Sequence, residues 1–187
     1  MYTSKALSIK QQKDAITITY HEDTSIEYLI QFLTTSKIKH QHKGNTITIF
    51  CDSSETLIDF HKKYKHILPH TSVCTTFFHI SSQLSWLHKH NFVIDHMYRK
   101  DIIVLNESIF LYVGLHHIVS LEETKVTIHD NLYDFGVMLI KLHFNKDITK
   151  DKYVMEKVIE PIYYTSLYWT LFRCMDKTPE NRVLLYI

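Results

Sequence analysis

The segment Phe92-Val-Ile-Asp-His-Met-Tyr-Arg-Lys-Asp101-Ile-Ile-Val-Leu105 decides the fold, because two short apolar runs flank a polar loop. Runs of three or four β-branched and aromatic residues are typical of short strands. A third such run, Ile109 to Val113, follows at hairpin distance. The sequence therefore predicts three short strands around the loop 95–101.

A helix is predicted on each side of this unit. Before it, about 75–90 carries an apolar stripe at helical spacing, and after it Leu132 to Leu142 is a strongly apolar helix. Two further helices are expected over about 152–160 and 164–174. The chain after about residue 70 is thus predicted to be mainly helical.

The first fifty residues are predicted to contain more strand than helix. Residues 15–20 alternate with period two, and a helix stripe follows over 25–36. Two runs, 38–42 and 46–50, flank a turn with Gly44, as in a hairpin. Residues 1–13 are interpreted as a polar lead-in, and the spacing of Asp52 and Glu55 predicts the start of another helix.

Early strands and late helices predict an α+β class with two lobes. We expect a small β-rich lobe over 1–51 and a helical lobe over 52–187, divided near Cys51-Asp52. The two lobes would form one continuous domain.

Composition excludes several functional classes. The net charge of +1 gives no electrostatic case for binding nucleic acid or a membrane surface. Three distant cysteines without CxxC spacing argue against a disulfide framework and a structural zinc site. Neither a signal-peptide pattern nor a long apolar stretch occurs, so a soluble, cytoplasmic chain is expected.

This order of elements resembles a protein kinase from its third strand onward. Residues 15–50 would supply the third strand, the helix αC and the hairpin that leads to the hinge, and 92–105 resembles the catalytic loop. Asp176 to Arg182 is similar to the D-x-P-x-x-R segment near the kinase C-terminus. The resemblance covers about 14–187 and implies a truncated kinase-like, two-lobed fold.

The kinase signature positions carry the wrong residues for catalysis. The first thirteen residues contain no Gly for a phosphate loop, and Thr17 or Thr19 stands near the place of the ATP-binding Lys. Glu27 could stand at the αC Glu position. The loop and the strand after it would be degenerate at four positions: Asp101 in the usual Asn place, His96 in the place of the catalytic Asp, and Val113 or Gly114 in the place of the metal-binding Asp. The resemblance thus implies no enzyme activity, no cofactor and no metal.

The tripeptide Asp134-Phe135-Gly136 spells the kinase metal-binding motif at another place in the chain. It lies inside the helical stripe of 132–142, about thirty residues after the loop. A buried helix in which Gly136 permits close packing is the preferred interpretation.

One family resembles the chain more than kinases in general. Gly114 to Glu123 follows the strand with almost no activation segment, as in the pseudokinase-like cytosolic domain of the EssB/YukC family of type VII secretion. This resemblance implies a non-catalytic scaffold that forms a homodimer and contacts a membrane-embedded ATPase of the FtsK/SpoIIIE type. It would be the cytosolic part of a cell-membrane protein, joined to the membrane only through a segment absent from this chain.

Two alternatives stay open. The chain could be a stand-alone, virus-derived kinase mimic that binds or inhibits a cellular kinase. It could also be an active, atypical phosphotransferase that uses Asp95 or Asp101.

Several further residues have more than one interpretation. Arg182 is predicted to form a buried ion pair with Glu122 or Glu123, as at that place in a kinase. His116-His117 and His88/His90 are interpreted as surface histidines, since no third and fourth ligand lies at a metal-site spacing. Four aromatic residues form either ordinary core or an exposed interface patch: Tyr163, Tyr164, Tyr168 and Trp169.

Overall fold

The computed structural model describes residues 2–3, 7–148 and 152–184, and its first half is an antiparallel sheet with one helix. The sheet order is β1-β2-β3-β5-β4. Its strands are β1 (Tyr2–Thr3), β2 (Leu7–Gln11), β3 (Ala15–Tyr20), β4 (His40–Lys43) and β5 (Thr46–Phe50). Helix α1 (Glu27–Thr35) connects β3 to β4 and buries Leu29 and Leu33.

The interpretation of residues 1–13 as a loose lead-in is wrong. Strand β2 pairs with β3 in the register Ile9↔Ile18, and both Leu7 and Ile9 are buried. The alternation Leu7-Ser8-Ile9 is only three residues long, and the Lys and Gln residues that follow it are exposed at the sheet surface. So short a pattern is easily taken for a loop.

The second half combines helices with two small antiparallel sheets, which confirms the α+β class. One sheet has the order β6-β8-β9, and the other pairs β7 with β10. The strands are β6 (Ser54–Thr56), β7 (Phe92–Ile94), β8 (Ile102–Leu105), β9 (Ile109–Tyr112) and β10 (Ile118–Ser120). The helices are α2 (Leu57–Lys63), α3 (His70–Lys89), α4 (Ile128–Phe144), α5 (Lys152–Ile159) and α6 (Ser166–Cys174).

Helix α2 begins later than its predicted start. Thr56 caps it: its hydroxyl oxygen accepts a hydrogen bond from the Asp59 backbone N–H, and the hydroxyl donates to Asp59 Oδ2. The predicted helix start at Asp52 to Glu55 overlaps strand β6, in which Glu55 pairs with Val104. Pairing with a strand fifty residues away overrides the local capping pattern.

Helix α4 is the central helix of the second half, and the prediction of a buried helix around Asp134-Phe135-Gly136 is confirmed. A capping box between Thr127 and Asp130 begins it. Phe135 is fully buried and stacks on Phe77 of α3, with ring centroids 5.7 Å apart. A Cβ at Gly136 would lie 2.7 Å from Met175 Cγ, so this glycine does permit close packing of the helix.

Two tyrosines join the first sheet unit to the second half. The Tyr20 hydroxyl donates to the Val113 carbonyl at 3.0 Å, and the Tyr28 hydroxyl donates to Gln83 Oε1 at 3.4 Å. One hydrophobic cluster therefore extends across the boundary predicted near residue 51. Within the described ranges, none of the helices has the length and apolar character needed to span a bilayer.

A buried histidine, His61 on α2, makes stability depend on pH. Its side chain is 1% exposed; Nε2 lies 3.2 Å from the Leu142 carbonyl, and Nδ1 lies 3.4 Å from Arg99. Burial and the Arg99 charge lower its pKa, so the folded protein keeps the imidazole neutral where the unfolded chain protonates it. Its contribution to stability is present above about pH 6.5 and is lost as the pH falls, at up to about 1.4 kcal/mol per unit.

We therefore expect His61→Gln to flatten the pH dependence of the unfolding free energy below about pH 6.5. Urea titrations at several pH values measure this slope. His42→Gln, at an exposed position on β4, is the matched control and should leave the slope unchanged. Equal slopes for wild type and His61→Gln would show that His61 does not stay neutral in the folded state.

Candidate functional site

The site lies where β8 and β9 meet the first sheet, and two tyrosines fill its inner wall. Thr17 and Thr19 of β3 face the outer surface of the sheet, where they contact Thr48 and Thr46. The inward-facing side chain at the end of β3 is Tyr20, which burial gives a strongly raised pKa. This inner position therefore carries an uncharged phenol, which cannot neutralise phosphate charge as a cation would.

Glu27, the residue predicted at the αC Glu position, does not point into the site. Glu27 is exposed, while the next residue, Tyr28, points inward and packs on Trp86 with ring centroids 4.9 Å apart. Helix α1 begins at Glu27, and its buried stripe includes Tyr28, Leu29 and Phe32. The inward face is therefore offset by one residue from the expected position, and its innermost group is again a neutral phenol.

The loop 95–101 exposes the residue predicted in the place of a catalytic carboxylate. The His96 side chain is 60% exposed, and its Nε2 lies 3.5 Å from Asp95 Oδ2. The Asp95 backbone N–H donates to the His117 carbonyl at 2.7 Å. Asp95 and His96 therefore form part of the loop rim, and neither points into a closed site.

Asp101 is the opposite case, because its carboxylate is buried and makes no hydrogen bond within the described part of the chain. A short 3-10 turn, Arg99–Asp101, ends there, and the Asp101 carbonyl accepts from the Val113 N–H at 2.8 Å. The side chain is 1% exposed, and among the described residues neither Oδ atom has a hydrogen-bond partner. Burial raises the pKa of this carboxyl, as expected for a group removed from water.

Two half-buried histidines face Asp101. They end a second 3-10 turn, Leu115–His117, and His117 Nε2 lies 3.7 Å from Asp101 Oδ2. His116 Nδ1 is also buried without a partner in the described part of the chain. Burial lowers the pKa of both imidazoles, that of His117 to about 4. One ligand atom from each of Asp101, His116 and His117 lies within 4.8 Å of the others, so these three residues could hold a metal ion.

This grouping differs from the prediction of surface histidines and no metal ligands. The strands that create it were predicted: β8 and β9 pair in the register Ile102↔Tyr112, which places residue 101 beside residue 113. Residues 114–117 must then pass close to Asp101. The linear spacing of Asp101, His116 and His117 does not match a metal-site motif. The register of the β8–β9 hairpin, in contrast, predicts that these residues lie close together.

The positions predicted to lack a metal-binding Asp are apolar in the structure. Val113 is fully buried, and its carbonyl accepts a hydrogen bond from the Tyr20 hydroxyl. At Gly114 an added Cβ would lie 2.6 Å from Tyr112 Oη and 2.9 Å from Asp101 Cβ. These two residues therefore provide close packing and offer no carboxylate to an ion.

A cleft of about 320 Å³ separates the first sheet from β6, α2 and β8. Its apolar lining includes Ile9, Ile16 and Ile103, and its charged lining includes Lys100 and two carboxylates, Glu55 and Asp59. Glu55 pairs with Lys63, and Asp59 pairs with Lys62. Both carboxylates are thus paired with lysines, and Lys100 is the one cation among the described lining residues. A triphosphate needs more positive charge than one lysine supplies, so this cleft is a poor site for it.

The prediction that Arg182 pairs with Glu122 or Glu123 is wrong. Arg182 NH1 lies 3.8 Å from Asp130 Oδ1 and donates to the His129 carbonyl at 3.2 Å. Its Nε donates to the Asp176 carbonyl at 2.8 Å. Glu122 and Glu123 are exposed. The start of α4, which lies beside the 176–182 segment, supplies the acidic partner instead.

The aromatic cluster after α5 is divided between surface and interior. Tyr168 is buried, whereas Tyr163, Tyr164 and Trp169 are 44%, 94% and 47% exposed. We call these three exposed residues the aromatic surface. A pocket of about 330 Å³ adjoins it, lined by Glu156, Lys157, Glu160, Tyr163 and Tyr168.

Comparison with known proteins adds no identity: no protein-family model matches the sequence, and no curated protein matches it significantly.

Proposed function

We propose that this chain is a non-catalytic, kinase-shaped interaction domain that docks a protein partner through its aromatic surface. The observation that carries the proposal is an exposed aromatic cluster, in which the ring of Tyr163 lies 5.0 Å from that of Tyr164 and 6.0 Å from that of Trp169. Tyr and Trp are the residues most enriched at the energetic centres of protein interfaces.

The kinase-like part of the proposal rests on element order. A five-stranded antiparallel sheet with one helix between its third and fourth strands precedes a mainly helical half. The Asp176 to Arg182 segment packs against the start of the central helix α4, where Arg182 lies 3.8 Å from Asp130 Oδ1 and donates to the His129 carbonyl. These features agree with a kinase-like arrangement and support it.

The non-catalytic part rests on the site. Phenols stand where a Lys–Glu pair would be needed, His96 is exposed in the loop, and Val113 is apolar. Phosphoryl transfer depends on groups that bind Mg²⁺ and neutralise phosphate charge. This arrangement also disfavours an atypical phosphotransferase based on Asp95 or Asp101, because Asp95 lies at the rim and Asp101 is enclosed.

The partner chemistry follows from the charge beside the aromatic surface. The adjoining pocket is lined by two carboxylates, Glu156 and Glu160, and one ammonium group, Lys157. Negative side chains outnumber positive ones, so the lining favours a cationic side chain. An Arg or Lys inserted there could also lie over the ring of Tyr163 or Tyr164, adding a cation–π contact. We therefore expect the partner to present Arg or Lys next to apolar residues.

The biological setting is proposed from the family resemblance. In this proposal the domain is a cytosolic, membrane-associated scaffold of a type VII secretion machine, related to EssB/YukC proteins, and its partner is an FtsK/SpoIIIE-type ATPase. A virus-derived kinase mimic that binds a cellular kinase is the second candidate, since it would use the same surface. Either role needs docking without catalysis.

Selection of a phage-displayed library of random linear peptides on the chain tests the docking surface. We expect enriched peptides to carry Arg or Lys beside an aromatic or aliphatic residue, and to bind Tyr164→Ala/Trp169→Ala at least about tenfold more weakly. Phe78→Ala, which removes another exposed aromatic residue, is the matched control and should retain binding. Enrichment of acidic peptides, or equal binding to the double variant, contradicts the proposal.

Two further measurements complete the test. Sedimentation measures the oligomeric state of the chain. A dimer that Trp169→Ala dissociates would assign the aromatic surface to self-association instead of docking. Thermal denaturation with Mg²⁺ and ATP should show no stabilisation beyond that given by Mg²⁺ alone. A clear Mg²⁺-dependent stabilisation by ATP contradicts the non-catalytic part.

A further inference from the structure

We propose that Asp101, His116 and His117 form a binding site for a Zn²⁺-class transition-metal ion, which links the 115–117 turn to the 99–101 turn. This site is independent of the aromatic surface and of the proposed docking function. The inference begins with the Asp101 carboxylate, which has no hydrogen-bond partner among the described residues.

Asp101 is buried at a cost that its surroundings do not offset. Its side chain is 1% exposed, and neither carboxylate oxygen meets a hydrogen-bond donor among the described residues. Buried polar groups are nearly always hydrogen-bonded, and a buried carboxylate without a partner is strongly disfavoured. A bound cation would compensate the negative charge and coordinate one of the two carboxylate oxygens.

The groups that face the carboxylate are imidazoles. His117 Nε2 is 3.7 Å from Asp101 Oδ2, and His116 Nδ1 is a second buried atom that lacks a partner within the described chain. The ligand atoms of the three residues lie within 4.8 Å of one another. Zn–N and Zn–O bonds of about 2.0–2.1 Å in a tetrahedron separate the ligand atoms by about 3.4 Å, so small side-chain rotations would complete the site.

The ligand set selects the kind of ion. Two imidazoles and one carboxylate suit Zn²⁺, Co²⁺, Fe²⁺ or Ni²⁺, whereas Mg²⁺ and Ca²⁺ prefer oxygen ligands alone. Three protein ligands leave a fourth position for water or another donor. This ligand set differs from that of a kinase metal site, which uses carboxylate and amide oxygens.

An access route reaches the site from the surface. A cleft of about 380 Å³ is lined by Asp23, Thr24, Tyr28, Phe92 and Leu115, and His116 forms part of its wall. An ion could therefore reach the His116 imidazole without unfolding of the core. The exposed Asp23 at this cleft would also attract cations.

The site would have a structural effect on a specific segment. Strand β10 follows directly after His117 and pairs with β7, which precedes the loop 95–101. Metal binding would therefore hold the 115–117 turn, and with it the paired strands β10 and β7, close to the 99–101 turn. We expect Zn²⁺ to slow hydrogen exchange in 114–120 more than elsewhere.

Metal titration of the full chain, purified in the presence of a chelator that is then removed, tests the site. We expect calorimetry to show one equivalent of Zn²⁺ bound, not displaced by excess Mg²⁺, and Co²⁺ to give the intense visible absorption of a four-coordinate ion. Asp101→Asn, His116→Gln and His117→Gln should each weaken Zn²⁺ binding by at least about 100-fold. His96→Gln, whose ring lies 6.1 Å from that of His117, is the matched control and should bind normally.

Because the chain has 14 histidines, weak surface binding must be separated from the site. Zn²⁺ binding that Asp101→Asn, His116→Gln and His117→Gln all leave unchanged would overturn the proposal, as would the absence of any stoichiometric binding. The Co²⁺ spectrum of the wild-type protein keeps the test decisive if a variant fails to fold. A weak, six-coordinate spectrum would also overturn it.

Discussion

Asn131→Leu is expected to lower the free energy of unfolding by about 3 kcal/mol or more. Asn131 is 1% exposed on α4, and its side chain pairs with the backbone of Ile94 in β7. Nδ2 donates to the Ile94 carbonyl at 2.6 Å, and Oδ1 accepts from the Ile94 N–H at 2.8 Å. Leucine has a similar size but leaves both backbone groups buried and unpaired, at a cost of about 1–3 kcal/mol each.

Urea unfolding followed by circular dichroism measures this loss. Asn45→Leu is the matched control, because Asn45 also makes two backbone hydrogen bonds, to the carbonyls of His21 and Glu22, but at an exposed turn. Water can replace those bonds, so the control should cost less than about 1 kcal/mol. Similar losses for both variants would show that the Ile94 groups find other partners when Asn131 is replaced.

Periodic patterns allowed most elements to be predicted. Residues 15–20 alternate and form β3, and the apolar stripe around Phe135 forms α4. Such stripes are reliable because one face of each element is buried along its whole length. The weaker patterns gave errors at the ends of elements: Leu7 and Ile9 are too few to reveal β2, and Thr56 rather than Asp52 caps α2.

The candidate site was only partly predictable, because its key properties depend on contacts between distant segments. The hairpin register brings Asp101 close to residues 114–117, and this register follows from two recognisable strands. The burial of the Asp101 carboxylate does not follow from these strands. It depends on how the first sheet and its Tyr20 pack over the 99–101 and 115–117 turns. The partner of Arg182 was equally inaccessible, because exposed acidic residues carry no periodic signal that distinguishes Asp130 from Glu122.

Gly114→Ala is expected to destabilise the fold by about 2–3 kcal/mol. The new Cβ would lie 2.6 Å from Tyr112 Oη, 2.8 Å from Tyr112 Cζ and 2.9 Å from Asp101 Cβ. Tyr112 and Asp101 are both buried, so neither can move aside without disturbing the core. Extra atoms in a packed interior typically cost about 1–3 kcal/mol, and two immobile neighbours place this position at the upper end.

Gly136→Ala is the matched control for Gly114→Ala, since both glycines are closely packed. Its Cβ would lie 2.7 Å from Met175 Cγ and 3.2 Å from Cys174 Cβ, and the flexible Met175 side chain can rotate away. Alanine also gains about 1 kcal/mol over glycine within a helix, which offsets part of the remaining clash. Thermal and urea unfolding of the two variants should therefore differ by at least about 1 kcal/mol, with Gly114→Ala the less stable. Equal losses of unfolding free energy would mean that the side chains of Tyr112 and Asp101 move aside as readily as that of Met175. The packing around the buried carboxylate would then be loose.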